Sequence, residues 1–127
     1  MKITMIVERT RTGYSAYAEK HPIYSTGKSW AQLKVNMLQA CQLYFDSKKI
    51  KVAEDDIRIQ LDLPQFFEFY KVINAKALAE RIGMHQSLLA QYIRGIKKPS
   101  AQQTERIFQG IRSVGRELSR LEIRLRD

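Results

Sequence analysis

The stretch that decides the fold runs from Asn74 to Gly95 and reads NAKALAERIGMHQSLLAQYIRG. Asn74 is a good N-cap for a helix from Ala75 to Ile82, and Gly83 ends that helix because glycine tolerates positive φ. A second helix is predicted over about Gln86–Arg94. Two short helices that cross through a three-residue turn need a small residue at the crossing and apolar residues on the facing sides. The sequence provides Ala79 for the crossing and Leu78, Ile82, Met84, Leu89, Tyr92 and Ile93 for the facing sides.

Much of the positive charge lies in the same region. The 127 residues include 22 Lys and Arg against 13 Asp and Glu, a formal net charge of +9. Between residues 81 and 112 there are six basic residues and one acidic residue, which places +5 of that charge in one quarter of the chain. A basic region of this kind favours a polyanionic partner. No apolar stretch is long enough for a membrane span, so we expect no membrane partner.

The segments Gly83–Ser87 and Gly95–Ser100 resemble the turn and exit loop of the helix-turn-helix of the Cro and phage-repressor class. The resemblance covers about residues 64 to 118 and implies that the second helix enters the major groove of double-stranded operator DNA. Base contacts are expected from Gln86, Ser87 and Gln91. Phosphate contacts are expected from Asn74, Lys76, His85, Arg94, Lys97, Lys98 and Ser100, with His85 placed to reach either a phosphate or a base. The alternative is an ordinary helical hairpin on which these polar residues face solvent.

The first half predicts an α+β lobe with the element order β-β-β-α-β. The predicted strands are Lys2–Glu8, Tyr14–Ala18, Ile23–Thr26 and Ile57–Leu63, and the helix runs from Trp30 to about Phe45 with Ser29 as its N-cap. Pro64 ends the last strand and suits the first turn of a helix through Ile73. We therefore divide the chain into domains at residues 1–63 and 64–127.

The final helix is predicted to start after Ser100 and to bury one apolar face. Beyond it, Leu121, Ile123 and Leu125 alternate with charged residues, a pattern that fits a strand as well as a helical tail. We predict a strand there, and we place the dimer contact in the segment Leu118–Leu125.

Two further stretches extend the resemblance to nearly the whole chain. They are Thr26–Ser29, a turn into the first helix, and Asp56–Leu63, which leads through Pro64–Phe67 into the helical half. With these, the chain is similar to the HicB family of antitoxins from type II toxin–antitoxin pairs. The resemblance implies a partial ribonuclease-H-like lobe that binds and covers a HicA-like mRNA-cleaving toxin, and a second domain that represses its own operon. Because two lobes of about 60 residues are each marginal alone, we expect a homodimer or higher even oligomer. The single cysteine, Cys41, favours the cytoplasm.

Two other functions stay open. One is a stand-alone helix-turn-helix regulator whose first lobe senses a ligand, and the other is a small metal-dependent nuclease. Ribonuclease-H-like chemistry needs several carboxylates around two Mg²⁺ ions, and one of these carboxylates lies in the middle of the first strand. Here Glu8 lies at the end of that strand, and Glu54, Asp55 and Asp56 precede a different one. We therefore expect no catalytic residue, no metal and no cofactor.

Overall fold

The computed structural model describes residues 1–126 and shows an α+β protein with a four-stranded mixed sheet and five α-helices. In chain order the elements are β1 (Ile3–Thr10), β2 (Gly13–Ala18), β3 (Tyr24–Gly27), α1 (Trp30–Asp46), a 3₁₀ turn (Glu54–Asp56), β4 (Ile57–Leu61), α2 (Leu63–Phe69), α3 (Ala75–Ile82), α4 (Gln86–Ile93) and α5 (Ala101–Ser119). The element order of the first half is as predicted. Asp127, the last residue of the predicted 64–127 domain, lies outside the described residues.

The chain forms two compact units, Met1–Tyr70 and Lys71–Asp127. The predicted domain boundary lies seven residues earlier, after residue 63, and assigns the helix that begins near Pro64 to the second domain. In the structure α2 belongs to the first unit. The Gln65 side chain accepts from the Arg9 N–H at 3.0 Å and donates to the Arg9 carbonyl at 2.7 Å. The Tyr70 hydroxyl accepts from Arg9 Nε at 2.9 Å, so both ends of α2 are bonded to β1.

The sheet of the first unit has the strand order β3-β2-β1-β4. The hairpin of β1 and β2 is antiparallel as predicted, and β4 runs parallel to β1, with Ile3 opposite Ile57 and Val7 opposite Leu61. One face of the sheet packs on α1, because alternate residues of a strand point to the same side. The buried residues at this contact include Ile3, Met5 and Val7 from β1 and Leu33, Met37, Cys41 and Phe45 from α1.

The N-cap prediction for α1 is confirmed, since Ser29 Oγ accepts from the Gln32 N–H at 3.1 Å. The spacing of Trp30, Leu33, Met37, Cys41 and Tyr44 also predicts one apolar face for this helix, and the structure confirms it only in part. Phe45 is buried there, whereas Trp30 is 42% exposed and Tyr44 is half-buried.

The second unit contains α3, α4 and α5. Its buried residues are Leu78, Ala79, Met84, Leu89, Tyr92, Ile107 and Gly110. The bounds of α3 are as predicted, and α4 ends at Ile93 with Arg94 as its C-cap. Helices α3 and α5 approach closely at Gly110, where a Cβ would collide with Ile82 Cγ2. This contact sets the distance between the two helices.

The predicted C-terminal strand is wrong. Residues 121–126 follow α5 with neither strand nor helix, and Leu121, Ile123 and Leu125 are exposed. A strand needs a neighbour to pair its backbone N–H and C=O groups, and none of the four described strands pairs with this segment. The dimer contact placed at Leu118–Leu125 stays a prediction.

Within residues 1–126, no helix combines the length and the apolar character that crossing a bilayer requires.

The contact at Gly110 generates a stability prediction. We expect Gly110→Ala to lower the free energy of unfolding of the second unit by about 1–3 kcal/mol, because the added methyl overpacks the contact with Ile82. This loss opposes the helix propensity of alanine, which favours it over glycine by about 1 kcal/mol. Urea unfolding followed by circular dichroism measures the change.

Gly115→Ala is the matched control in the same helix. A Cβ at Gly115 has no neighbouring atom within 4 Å, so this variant should gain about 0.5–1 kcal/mol. Equal effects of the two substitutions would show that the close approach of α3 and α5 does not limit packing.

Candidate nucleic-acid interface

The turn between α3 and α4 is held by its own backbone. Gly83 adopts the left-handed conformation, with φ 68° and ψ 35°, and its N–H donates to the carbonyls of Ala79 and Glu80. The Met84 N–H donates to the Ala79 carbonyl at 2.9 Å, and the Met84 side chain is buried. Because Met84 is in the core directly after Gly83, the direction in which α4 leaves the turn is fixed.

Arg106 of α5 holds the same turn from outside. Its Nη2 donates to the carbonyls of Ile82 and Gly83, each at 2.8 Å. These two carbonyls lie at the C-terminal end of α3, where the helix dipole favours a cation. Sequence reasoning counted Arg106 only as part of the basic region. In the sequence, Arg106 stands out only because it directly precedes the core residue Ile107. That position does not predict a hydrogen-bond partner more than twenty residues away.

Helix α4 turns one face to the core and leaves another in solvent. Leu89 and Tyr92 are buried, whereas Gln86, Ser87 and Arg94 are exposed and Gln91 is half-buried. Ser87, Gln91 and Arg94 are spaced by four and three residues, so they lie along one side of the helix. Gln86 stands beside Ser87 in the first turn, with Nε2 3.4 Å from Glu80 Oε1, a long hydrogen bond. We call Gln86, Ser87, Gln91 and Arg94 the α4 surface.

The segment after α4 is hydrogen-bonded to the last turn of that helix. Gly95 has φ 75°, and the N–H groups of Ile96 and Lys97 both donate to the Gln91 carbonyl, at 2.9 and 3.3 Å. Lys97 and Lys98 are exposed. Their cationic groups therefore follow the C-terminal end of α4 closely along the chain.

The remaining predicted phosphate contacts lie at helix starts. Asn74 Oδ1 accepts from the Ala77 N–H at 3.0 Å, and Ser100 Oγ accepts from the Gln103 N–H at 3.1 Å, so both side chains cap helices. Lys76 is exposed on the first turn of α3. His85 is the N-cap residue of α4 without a side-chain capping bond, and it is exposed. Phosphate contact by these four residues stays a prediction.

Several of the basic residues counted between 81 and 112 bind groups within the second unit. Arg81 pairs with Glu117, Arg112 pairs with Glu105 at 2.9 Å, and Arg106 binds the turn carbonyls. Such pairs at the surface contribute about 0–1 kcal/mol each to stability. Three further cations, Arg94, Lys97 and Lys98, lie within five residues of the chain.

The carboxylates considered for a nuclease site are not gathered in one place. Glu8 lies beside Asp62, on the sheet face opposite to the buried residues of β1, while Glu54, Asp55 and Asp56 form the 3₁₀ turn before β4. Burial raises the pKa of Glu8 above 4.5, and a hydrogen bond with Asp62 and its negative charge raise it further. Among the described residues, no three His, Cys, Asp or Glu side chains are grouped so that they could hold a metal ion.

Burial also raises the pKa of two other groups, Tyr17 and Cys41. Burial raises the pKa of Tyr17, as do the charges of Asp62 and Glu8. Burial also raises the pKa of the Cys41 thiol, which disfavours the nucleophilic thiolate. Cys41 is fully buried and lies 3.9 Å from the Met5 sulfur, as expected for a structural thiol.

Comparisons with protein-family models, with curated proteins and with solved structures each found no match to this chain.

The Glu8–Asp62 pair generates a pH prediction. Because the pKa of Glu8 is higher in the folded protein than the ordinary 4.5, the folded state holds this proton more tightly than the unfolded chain. That stabilisation is complete below pH 4.5 and is lost as the pH rises through the raised value. Glu8→Gln should therefore raise the melting temperature relative to wild type near pH 7, and by much less at about pH 4.

Thermal unfolding of both proteins at the two pH values measures this difference. Glu54→Gln is the control, since Glu54 is exposed and pairs with Lys34 at 3.8 Å. This substitution should give no gain near pH 7. A Glu8→Gln gain that is equal at both pH values would contradict the assigned proton coupling.

Proposed function

We propose that this chain is a DNA-binding repressor whose α3–α4 pair acts as a helix-turn-helix of the Cro and phage-repressor class. The observation that carries the proposal is the α4 surface, a polar and cationic helix face left in solvent directly after the left-handed turn at Gly83. A helix with one buried side and one exposed polar side, fixed at its N-terminal turn, has the form required to enter a groove of duplex DNA.

The dimensions of α4 suit the major groove. An α-helix with its side chains is about 10–12 Å across, and the major groove is about 12 Å wide and admits one. Gln86, Ser87 and Gln91 are the proposed base contacts. A glutamine amide pairs in a bidentate manner with N6 and N7 of adenine, and serine donates to or accepts from several base edges.

Phosphate contacts supply affinity and register without sequence information. Arg94, Lys97 and Lys98 are the strongest candidates because they are exposed and follow the α4 surface along the chain. Lys76 and His85 are additional candidates at the starts of α3 and α4. Asn74 and Ser100 complete the set, through the helix N-termini that they cap.

The first unit is proposed to be the toxin-binding lobe. Its β-β-β-α-β order and the Thr26–Ser29 turn into α1 support the resemblance to the HicB family, in which a partial ribonuclease-H-like lobe covers the toxin. On this proposal the chain is a cytoplasmic antitoxin without catalytic activity. It neutralises a HicA-like mRNA-cleaving toxin and, as a homodimer or higher even oligomer, represses its own operon.

The DNA assignment predicts a loss of specific binding when the α4 surface is altered. Gln86→Ala and Gln91→Ala should each weaken binding to the DNA upstream of the chain's own gene by about 1–3 kcal/mol, since each removes a bidentate base contact. Ser87→Ala should have a smaller effect in the same direction. Binding to unrelated duplex should change little. Fluorescence anisotropy at fixed salt measures both affinities.

Two controls separate base contacts from charge and from folding. Gln109→Ala, at an exposed position on α5, should leave both affinities unchanged. Lys97→Gln should weaken binding to every duplex and lower the slope of log affinity against log salt by about one. Wild-type affinity in the triple variant Gln86→Ala, Ser87→Ala, Gln91→Ala would refute the assignment of α4 to the groove.

The antitoxin assignment predicts a complex with a neighbouring gene product. Coexpression of the full chain with an adjacently encoded small basic ribonuclease should yield a stable complex in which RNA cleavage is suppressed. Size-exclusion chromatography and an RNA cleavage assay measure the two effects. Operator binding without any such neighbour or complex would instead favour the stand-alone regulator.

A further inference from the structure

An apolar groove runs between α3 and α5 inside the second unit. Its volume is about 700 Å³, and its apolar lining includes Val72, Ile73, Ala77, Ile111, Val114 and Leu118. Val72 is 89% exposed and Leu118 is 62% exposed. We call this feature the α3–α5 groove. Large apolar side chains left in contact with water along one groove mark a surface that a partner covers.

The segment that follows α5 has a matching character. Leu121, Ile123 and Leu125 alternate with Arg120, Glu122, Arg124 and Arg126. In an extended chain all three apolar side chains point to one side and the charged ones to the other. The three are 62%, 76% and 92% exposed, so nothing in the described part of the chain covers them. We call residues 120–126 the distal segment.

We propose that the α3–α5 groove of one copy receives the distal segment of a second copy, and that the exchange is reciprocal. Each dimer then buries two grooves and two segments around one two-fold axis. Leu121, Ile123 and Leu125 fill the apolar lining. The charged residues of the segment remain at the rim, where Glu80 and the pair of Arg81 with Glu117 lie in water.

The course of the chain favours a second copy over the same copy. The distal segment begins beside Leu118, at the end of its own groove, and must reverse direction at once to enter it. A tight reversal is favoured by glycine, proline, asparagine, aspartate or serine, and residues 116–126 contain only one of these, Ser119, which is still part of α5. A segment that continues away from α5 reaches a neighbouring copy without any reversal.

The exposed area is also of the size that a dimer needs. Val72, Leu118 and the three apolar residues of the distal segment together expose on the order of 600 Å² per copy, and a standard interface buries about 800 Å² per partner. The groove lining supplies part of the remainder.

This inference rests on the proposed function for its two-fold dimer, but its test measures mass and cross-linking rather than DNA binding. The two proposals therefore fail separately. A dimer that does not bind DNA would overturn only the repressor assignment. A DNA-binding protein that stays monomeric would overturn the exchange and the proposed dimer, but not the assignment of α4 to the groove.

The first experiment measures the dimer by analytical ultracentrifugation of the full chain. Ile123→Glu in the segment and Val114→Glu in the groove should each weaken the dimer about tenfold or more, because each places a carboxylate in an apolar contact. Arg124→Gln, on the opposite side of the same segment, should leave the dimer unchanged. Since Ile123 is exposed in the single chain, its substitution does not threaten folding, and circular dichroism checks both variants.

The second experiment identifies which copy supplies the segment. Leu125→Cys and Val114→Cys proteins are mixed and oxidised, while Cys41 stays protected by burial. We expect disulfide-linked dimers that contain one chain of each kind. The proposal is overturned if the mixture does not cross-link and the double variant Val114→Cys, Leu125→Cys closes within one chain. It is also overturned if wild type is monomeric, or if both glutamate variants dimerise normally.

Discussion

The left-handed backbone at Gly83 is the constraint on which the second unit depends. With φ at 68° it turns the chain so that Met84 enters the core and α4 leaves with Leu89 and Tyr92 facing inward. A side chain at this position would strain the backbone, because only glycine adopts that conformation without a steric penalty. The direction of α4, and with it the solvent position of its polar face, follows from this one residue.

Two contacts from α5 reinforce the turn. Arg106 satisfies the carbonyls at the end of α3, and Gly110 lets α5 approach Ile82. Several of the basic residues counted in this region thus bind groups of the unit itself. The charge that a DNA partner would meet is therefore smaller than the sequence count, but it is concentrated just after α4. Phosphate contacts fix the register and orientation of a protein on a duplex.

The first unit combines an apolar contact on one face of its sheet with a pair of neighbouring carboxyl groups on the other. Glu8 and Asp62 come from strand ends that lie side by side in the parallel β1–β4 pair, and their proximity raises the pKa of Glu8. Asp62 also accepts from the Gln65 N–H at 3.0 Å as the N-cap of α2. One carboxylate thus links the end of the sheet to the helix that closes the unit.

The sequence by itself determined the local structure of this protein. The caps at Ser29, Asn74 and Ser100, the turn at Gly83 and the β1–β2 hairpin depend on residues a few positions apart, so pattern and propensity predict them. The same local rules placed Gln86, Ser87 and Arg94 on the solvent side of α4.

Only the tertiary structure decided the remainder, because those features depend on pairings between distant residues. Helix α2 belongs to the first unit because Gln65 is hydrogen-bonded to the backbone of Arg9, 56 residues away in the sequence. Arg106 donates a hydrogen bond to the carbonyl of Gly83, 23 residues away in the sequence. The alternating segment 121–126 does not form a strand. A strand requires a neighbouring strand for its backbone hydrogen bonds, and none of the four described strands lies beside this segment.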